Sequence, residues 1–101
     1  MRINNSGFKR NDTSPEKLRY DLIPTWLLAD LAALYAEGAS KFGERNWEKA
    51  NAEEDIVSFK ASAFRHFMEY MNGAENEDHL ARTVFNLAGI KHVKKQQNEK
   101  D

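Results

Sequence analysis

The stretch Pro24-Thr25-Trp26-Leu27-Leu28-Ala29-Asp30-Leu31-Ala32-Ala33-Leu34-Tyr35 decides the fold class. It is built from strong helix formers and is apolar almost all the way round a helical wheel. Proline is tolerated in a first helical turn, where its missing N–H would have no partner, so a helix begins at Pro24 or Thr25. Gly38 and Gly43 bracket its end, which predicts a helix over about 24–38. A helix with so little polar surface is covered from several sides.

Two more helices follow from the flanking sequence. At 100° per residue, Ile56, Lys60, Ala63, Phe64, Phe67, Met68 and Met71 share one broad face of a helix over 53–72, which Asn72-Gly73 stops. A third helix over 76–95 starts from Asn76 as N-cap, with Glu77 and Asp78 suiting the positive end of its dipole. Leu80, Ala81, Val84, Phe85, Leu87 and Ala88 form its apolar face, and Lys91, Lys94 and Lys95 suit its C-terminal end. Residues 1–20 are polar without a period and read as an arm; residues 96–101 read as a tail. The prediction is an all-α protein, a small bundle of three helices forming one domain over 21–95. Three helices leave a thin core. The apolar surplus of the first two predicts a homo-oligomer whose helices complete a shared bundle, against a compact monomer with some exposed aliphatics.

Composition narrows the function. The chain has 101 residues, with 15 Lys+Arg against 16 Asp+Glu and a formal net charge of -1. That balance argues against binding polymeric nucleic acid through bulk positive charge, but leaves room for a small basic pocket. The absence of cysteine removes disulfides, thiolate zinc sites and Cys nucleophiles together. No apolar run approaches the roughly 20 residues of a membrane span, and no signal-peptide core is evident, so the expectation is a cytoplasmic protein.

Three groups of residues can carry chemistry. The loop Lys41-Phe42-Gly43-Glu44-Arg45-Asn46-Trp47-Glu48-Lys49 combines aromatics, cations and an amide. Trp47 or Phe42 can stack on a base, Arg45 and the lysines can meet phosphates, and Asn46 can read a base or sugar edge. The plainer alternative is a helix–helix connection in which Trp47 plugs the core. On the second helix Ser62, Arg65, His66 and Glu69 make a polar stripe, and His66 and Glu69 at i, i+3 can share a divalent ion. On the third, Asp78, His79, Arg82 and Asn86 repeat the arrangement. Such oxygen-rich sites with one or two imidazoles suit Mg²⁺ or Mn²⁺. Both stripes point away from the apolar faces, so a solvated surface is the competing explanation. Lys60 lies within the apolar arc and is read as snorkelling, with its ammonium at the rim. His92 is read as a capping or core-edge histidine. Phe8, Lys9 and Arg10 can close over a ligand.

These motifs resemble the phage and bacterial dATP/dGTP diphosphohydrolase family, a small MazG-like group. The resemblance rests on Asp21-Leu22-Ile23-Pro24, on Gly38-Ala39-Ser40-Lys41-Phe42-Gly43-Glu44-Arg45-Asn46-Trp47-Glu48-Lys49, on Arg65-His66-Phe67, and on His79-Leu80-Ala81 followed by Asn86. It implies an all-α, oligomeric pyrophosphohydrolase using Mg²⁺ or Mn²⁺ and acting on a purine deoxynucleoside triphosphate. It further implies that Lys41, Arg45, Asn46, Trp47 and Lys49 belong to a nucleotide-facing loop and that Arg65, His66 and His79 fall in the family's motifs. With the two polar stripes, the expectation is that Arg65, Arg82 and Asn86 also contact the nucleotide, that His66, Glu69 and His79 are catalytic, and that Glu69, Asp78 and His79 hold metal. Arg82 stands where the family's HLAHA motif has its second histidine, and the acidic turn before His79 is shortened. A fixed guanidinium at that place suits phosphate oxygens. The alternative is therefore a non-catalytic protein that sequesters a nucleotide, linear or cyclic, on the same scaffold.

Overall fold

The computed structural model describes residues 2–3, 5–7, 9–10 and 17–99. The predicted all-α bundle is present. Its helices are α1 (Thr25–Phe42), α2 (Glu53–Met71) and α3 (His79–Glu99). Short 3-10 turns occupy Tyr20–Leu22 and Asn46–Lys49. Within the stretch read as an arm, β1 (Arg2–Ile3) and β2 (Lys9–Arg10) pair antiparallel, Arg2 opposite Arg10. Phe8 lies outside the described residues.

The helix ends differ from expectation for local reasons. Gly38 stays helical. It is Gly43, at φ 95°, that ends α1 while its N–H reaches the Ala39 carbonyl. An i, i+4 ion pair between Glu37 and Lys41 at 2.9 Å supports the extra turn. Asp55 stabilises the start of α2 by accepting the backbone N–H groups of Asn51 and Ala52 at 3.0 and 3.1 Å. Asp78, rather than Asn76, caps α3, its Oδ1 accepting the Ala81 N–H at 3.0 Å. At the other end α3 runs on through Glu99, so most of the predicted tail is helix.

Packing uses only one edge of the apolar arc read on α2, at Ile56 and Ala63. Its side toward α3 carries buried Ile56, Ala63 and His66, with Phe59, Ser62 and Glu69 half-buried. Much of the broad apolar arc instead lies exposed, at Val57, Phe64, Phe67, Met68 and Met71. The helices approach closely because α3 offers Gly89 and Ala81 there, both buried. A side chain at Gly89 would collide with the Phe59 ring. The polar stripes read as facing away thus run through the α2–α3 interface, where His66 and His79 are 5% and 1% exposed.

The core is thin, as three short elements require. Ile56, Ala63, Ala81 and Val93 are the buried hydrophobic residues among those described. Although almost wholly apolar, α1 has no buried residue. It leans on α3 and hardly touches α2. The radius of gyration is 17.8 Å, against about 13 Å for a compact domain of this length. The gap between α1 and the α2–α3 pair is the principal cleft. No described helix is long and apolar enough to cross a membrane.

Candidate functional site

The cleft encloses about 640 Å³, within the size range of small-molecule sites. Its floor comes from α2 and α3, and its other wall from the end of α1 and the turn that follows. That turn carries a conformational cost. Arg45 has φ 58° and ψ 28°, a left-handed conformation that non-glycine residues avoid. Its guanidinium pairs with Glu48 at 2.7 Å. The turn then runs Asn46 to Lys49 along the cleft mouth.

Trp47 is half-buried and sits edge-on to two rings. Its centroid lies 5.9 Å from Tyr35 and 5.0 Å from His92. Tyr35 meets Phe85 at 5.1 Å, and Phe85 meets Phe59 at 6.4 Å. A chain of edge-to-face rings thereby ties α2, α3, α1 and the turn together, an arrangement favoured by the ring quadrupoles. His92 Nε2 also lies 3.3 Å from the Glu48 carbonyl, so this core-edge histidine holds the turn against α3. Burial pushes the Tyr35 phenol up, keeping it neutral.

All eight residues expected to contact a nucleotide line this one cleft: Lys41, Arg45, Asn46, Trp47, Lys49, Arg65, Arg82 and Asn86. Their five cations face two carboxylates, Glu37 and Asp55, and Asp55 is engaged by α2's first N–H groups. Lys49 and Arg65 make no ion pair among the described residues. Arg82 is engaged. Its Nη2 lies 3.2 and 3.3 Å from the Glu37 oxygens, and its buried Nε lies 2.9 Å from Glu77 Oε1 without a well-aligned hydrogen bond. The Lys41 ammonium and then the Arg82 guanidinium hold the Glu37 carboxyl below its usual range. Asn86 is buried and donates its Nδ2 to the Arg82 carbonyl at 2.7 Å. Lys60 is exposed and belongs to a different feature, a shallow hollow with Phe64, Phe67, Leu87 and Ile90.

His66 joins the cleft to a second cluster. The side-chain donors of His66, Glu69, Glu77 and His79 all lie within 4.8 Å of one another. The two Nδ1 atoms are 2.8 Å apart, and Glu69 Oε2 is 3.0 Å from His79 Nδ1. Asn76 Oδ1 accepts from His79 Nε2 at 3.0 Å, which fixes the ring and turns Nδ1 inward. Burial, reinforced by Arg65, pushes His66 below the usual imidazole range against the pull of Glu77 and Glu69. A neutral imidazole is the form that binds metal. The expected Glu69 and His79 are in this cluster. Asp78 is not, because its carboxylate caps α3, and Glu77 takes its place.

Sequence reasoning missed Glu37 as a cleft residue and Asn76 as the partner of His79, and it weighed Glu77 among the available acids without choosing it over Asp78. Glu37 was legible as the i−4 partner of Lys41, but only the fold brings it to Arg82. Spacing cannot distinguish Glu77 from Asp78 when both precede a helix start.

No curated protein and no solved structure matches the chain. A family profile described as dATP/dGTP diphosphohydrolase, N-terminal, matches residues 5–101. That span takes in the cleft and all four members of the donor cluster, and the chain belongs to this family.

Proposed function

We propose that the chain is a metal-dependent pyrophosphohydrolase that takes a purine deoxynucleoside triphosphate and releases the monophosphate and pyrophosphate. One observation carries this reading: the cationic, ring-lined cleft includes His66, which is also a member of the donor cluster with Glu69, Glu77 and His79. A triphosphate entering between α1 and α3 would meet Arg65 and Lys49, whose charges have no competing carboxylate. Trp47 and Tyr35 offer apolar surface to the base, and Asn46 and Asn86 offer amides to its edge.

The cluster suits a divalent cation, since its four donors already converge on one place. His66, His79, Glu69 and Glu77 would hold the ion, Mg²⁺ or Mn²⁺ being the ions the family resemblance implies. Such an ion supplies charge neutralisation on phosphate oxygens and a more acidic bound water. Glu69 and Glu77 are the members water reaches, with side chains 39% and 36% exposed. Arg65 and the Lys41–Arg45 turn would hold the phosphate chain in line with it.

We further infer that a second copy of the chain covers α1 and the exposed arc of α2. Trp26 and Leu28 on α1, and Phe64, Phe67 and Met71 on α2, are between 46% and 67% exposed. Large apolar side chains left this open on two helices suit an interaction site.

A second reading has its own support. Arg82 places a fixed cation 2.9 Å from Glu77, one of the four donors. Such a site favours holding phosphate over ionising water, as in a protein that sequesters a nucleotide without cleaving it.

The test is incubation with individual dNTPs, with and without Mg²⁺ or Mn²⁺, followed by assay for pyrophosphate. Metal-dependent release from dATP or dGTP that disappears in His79→Ala supports the enzyme. Thermal stabilisation by a nucleotide in EDTA, with no product under any condition, supports sequestration instead.

A further inference from the structure

The donor types at the α2–α3 interface constrain the ion more tightly than the presence of a site does. Two of the four are imidazole nitrogens, and both rings are buried. Mg²⁺ is a hard ion that prefers an all-oxygen shell and keeps much of its water. Imidazole suits the later first-row dications. The spacing agrees with direct ligation. Two donors at right angles, each about 2.1 Å from one ion, would stand roughly 3 Å apart. The observed separations are 2.8 Å between the two Nδ1 atoms and 3.0 Å from His79 Nδ1 to Glu69 Oε2.

The surroundings point the same way. His79 Nε2 is taken up by Asn76 Oδ1, so its inward Nδ1 presents a lone pair to the cluster. The residue that orients the ring sits three positions before it, in the loop where Glu77 also arises.

We propose that His66, His79, Glu69 and Glu77 form a two-nitrogen, two-carboxylate site for an imidazole-preferring transition-metal dication of the Zn²⁺ or Co²⁺ class, and that Mg²⁺ does not occupy it. This deepens the functional reading by naming the ion class of the same site, but it stands or falls on metal binding alone.

The experiment uses the full chain stripped with EDTA and dialysed free of it. Thermal melting is followed with Zn²⁺, Co²⁺, Mn²⁺ and Mg²⁺ at equal concentrations, and Co²⁺ is also followed by its visible absorption. Glu69→Gln and His79→Gln are measured alongside; Glu69 is half-exposed and its replacement is isosteric, so that variant keeps the fold. The expected result is a melting-temperature rise with Zn²⁺ and Co²⁺, little or none with Mg²⁺, and a Co²⁺ spectrum of a nitrogen–oxygen site. In Glu69→Gln the metal-free melting temperature stays near wild type, while the affinity for Co²⁺ falls at least tenfold. Equal stabilisation by Mg²⁺ overturns the assignment. So does a Co²⁺ spectrum and affinity unchanged in both variants, or the absence of any metal effect, which would make the imidazoles a plain hydrogen-bonded pair. Turnover of dNTPs is scored separately. Transition-metal binding with no pyrophosphate released under any condition would end the enzyme reading and leave this site standing. Hydrolysis supported by Mg²⁺ without transition-metal binding would do the reverse.

Discussion

Gly89→Ala tests the packing that places the cleft. A methyl group at Gly89 would lie 2.6 Å from Phe59 Cε1 and Cζ and 2.8 Å from Cδ1. Carbon atoms rest at about 3.5–4.0 Å, so the ring must retreat by roughly 1 Å. Overpacking of this kind costs about 1–3 kcal/mol. Alanine returns about 1 kcal/mol through its better helix propensity. The balance is a loss of about 1 kcal/mol, or roughly 4–8 °C in Tm for a domain of this size. Phe59 also lines the cleft and meets Phe85 edge-on, so its retreat narrows the space between α1 and α2. Nucleotide affinity should fall about tenfold, equivalent to 1.4 kcal/mol. Urea denaturation at fixed protein concentration and a dGTP titration measure the two effects. A variant stabilised by about 1 kcal/mol, with unchanged affinity, would show that the ring moves freely and that Phe59 does not form the cleft wall.

Three further outcomes follow from named contacts. Glu37 has a folded pKa held below its unfolded value by Lys41 and Arg82, so its contribution to stability is present above about pH 4.5 and is lost as pH falls through the folded value; the acid limb of a stability–pH profile should be shallower in Glu37→Gln, and an unchanged limb would remove Glu37 from the account. Arg45→Gly relieves a left-handed backbone worth about 1–2 kcal/mol while losing a surface ion pair of under about 1 kcal/mol and adding chain entropy to the unfolded state; Tm should stay within a few degrees while nucleotide affinity falls at least fivefold, and an equal loss of both would mean that Arg45 is structural. Phe67→Glu places a charge in the hollow between α2 and α3, and light scattering after gel filtration should give a smaller mass than wild type; identical masses would mean that this face does not join copies.

The helices were legible because their signals are local. Pro24, the Asn72-Gly73 stop and the run of helix formers after Thr25 depend on neighbours in sequence. The facing of α2 was not legible. Its widest apolar arc, through Phe64, Phe67 and Met71, predicts an inward face by the rule that apolar sides are buried. The monomer buries only the Ile56–Ala63 edge of that arc and turns His66 inward beside it, against buried Ala81 and Gly89 on α3. A periodicity argument sees amphipathic character but not where a partner helix is small. The cleft residues were legible as a set, since the Lys41–Lys49 motif is specific. Its geometry was not: Trp47 rests on Tyr35 and His92, as a core plug would, and also lines the cleft. The donor cluster was half legible. His66, Glu69 and His79 follow from i, i+3 spacing and motif order, whereas Glu77 replaces Asp78 because only the fold decides which acid caps α3.

The most direct measurement is a fluorescence titration of the Trp26→Phe protein, in which Trp47 is the sole indole, with dATP and dGTP in EDTA. The account predicts saturable quenching that weakens at least tenfold in Arg65→Ala. No spectral change with any nucleotide, or binding that leaves Trp47 emission untouched, would contradict a nucleotide site in this cleft.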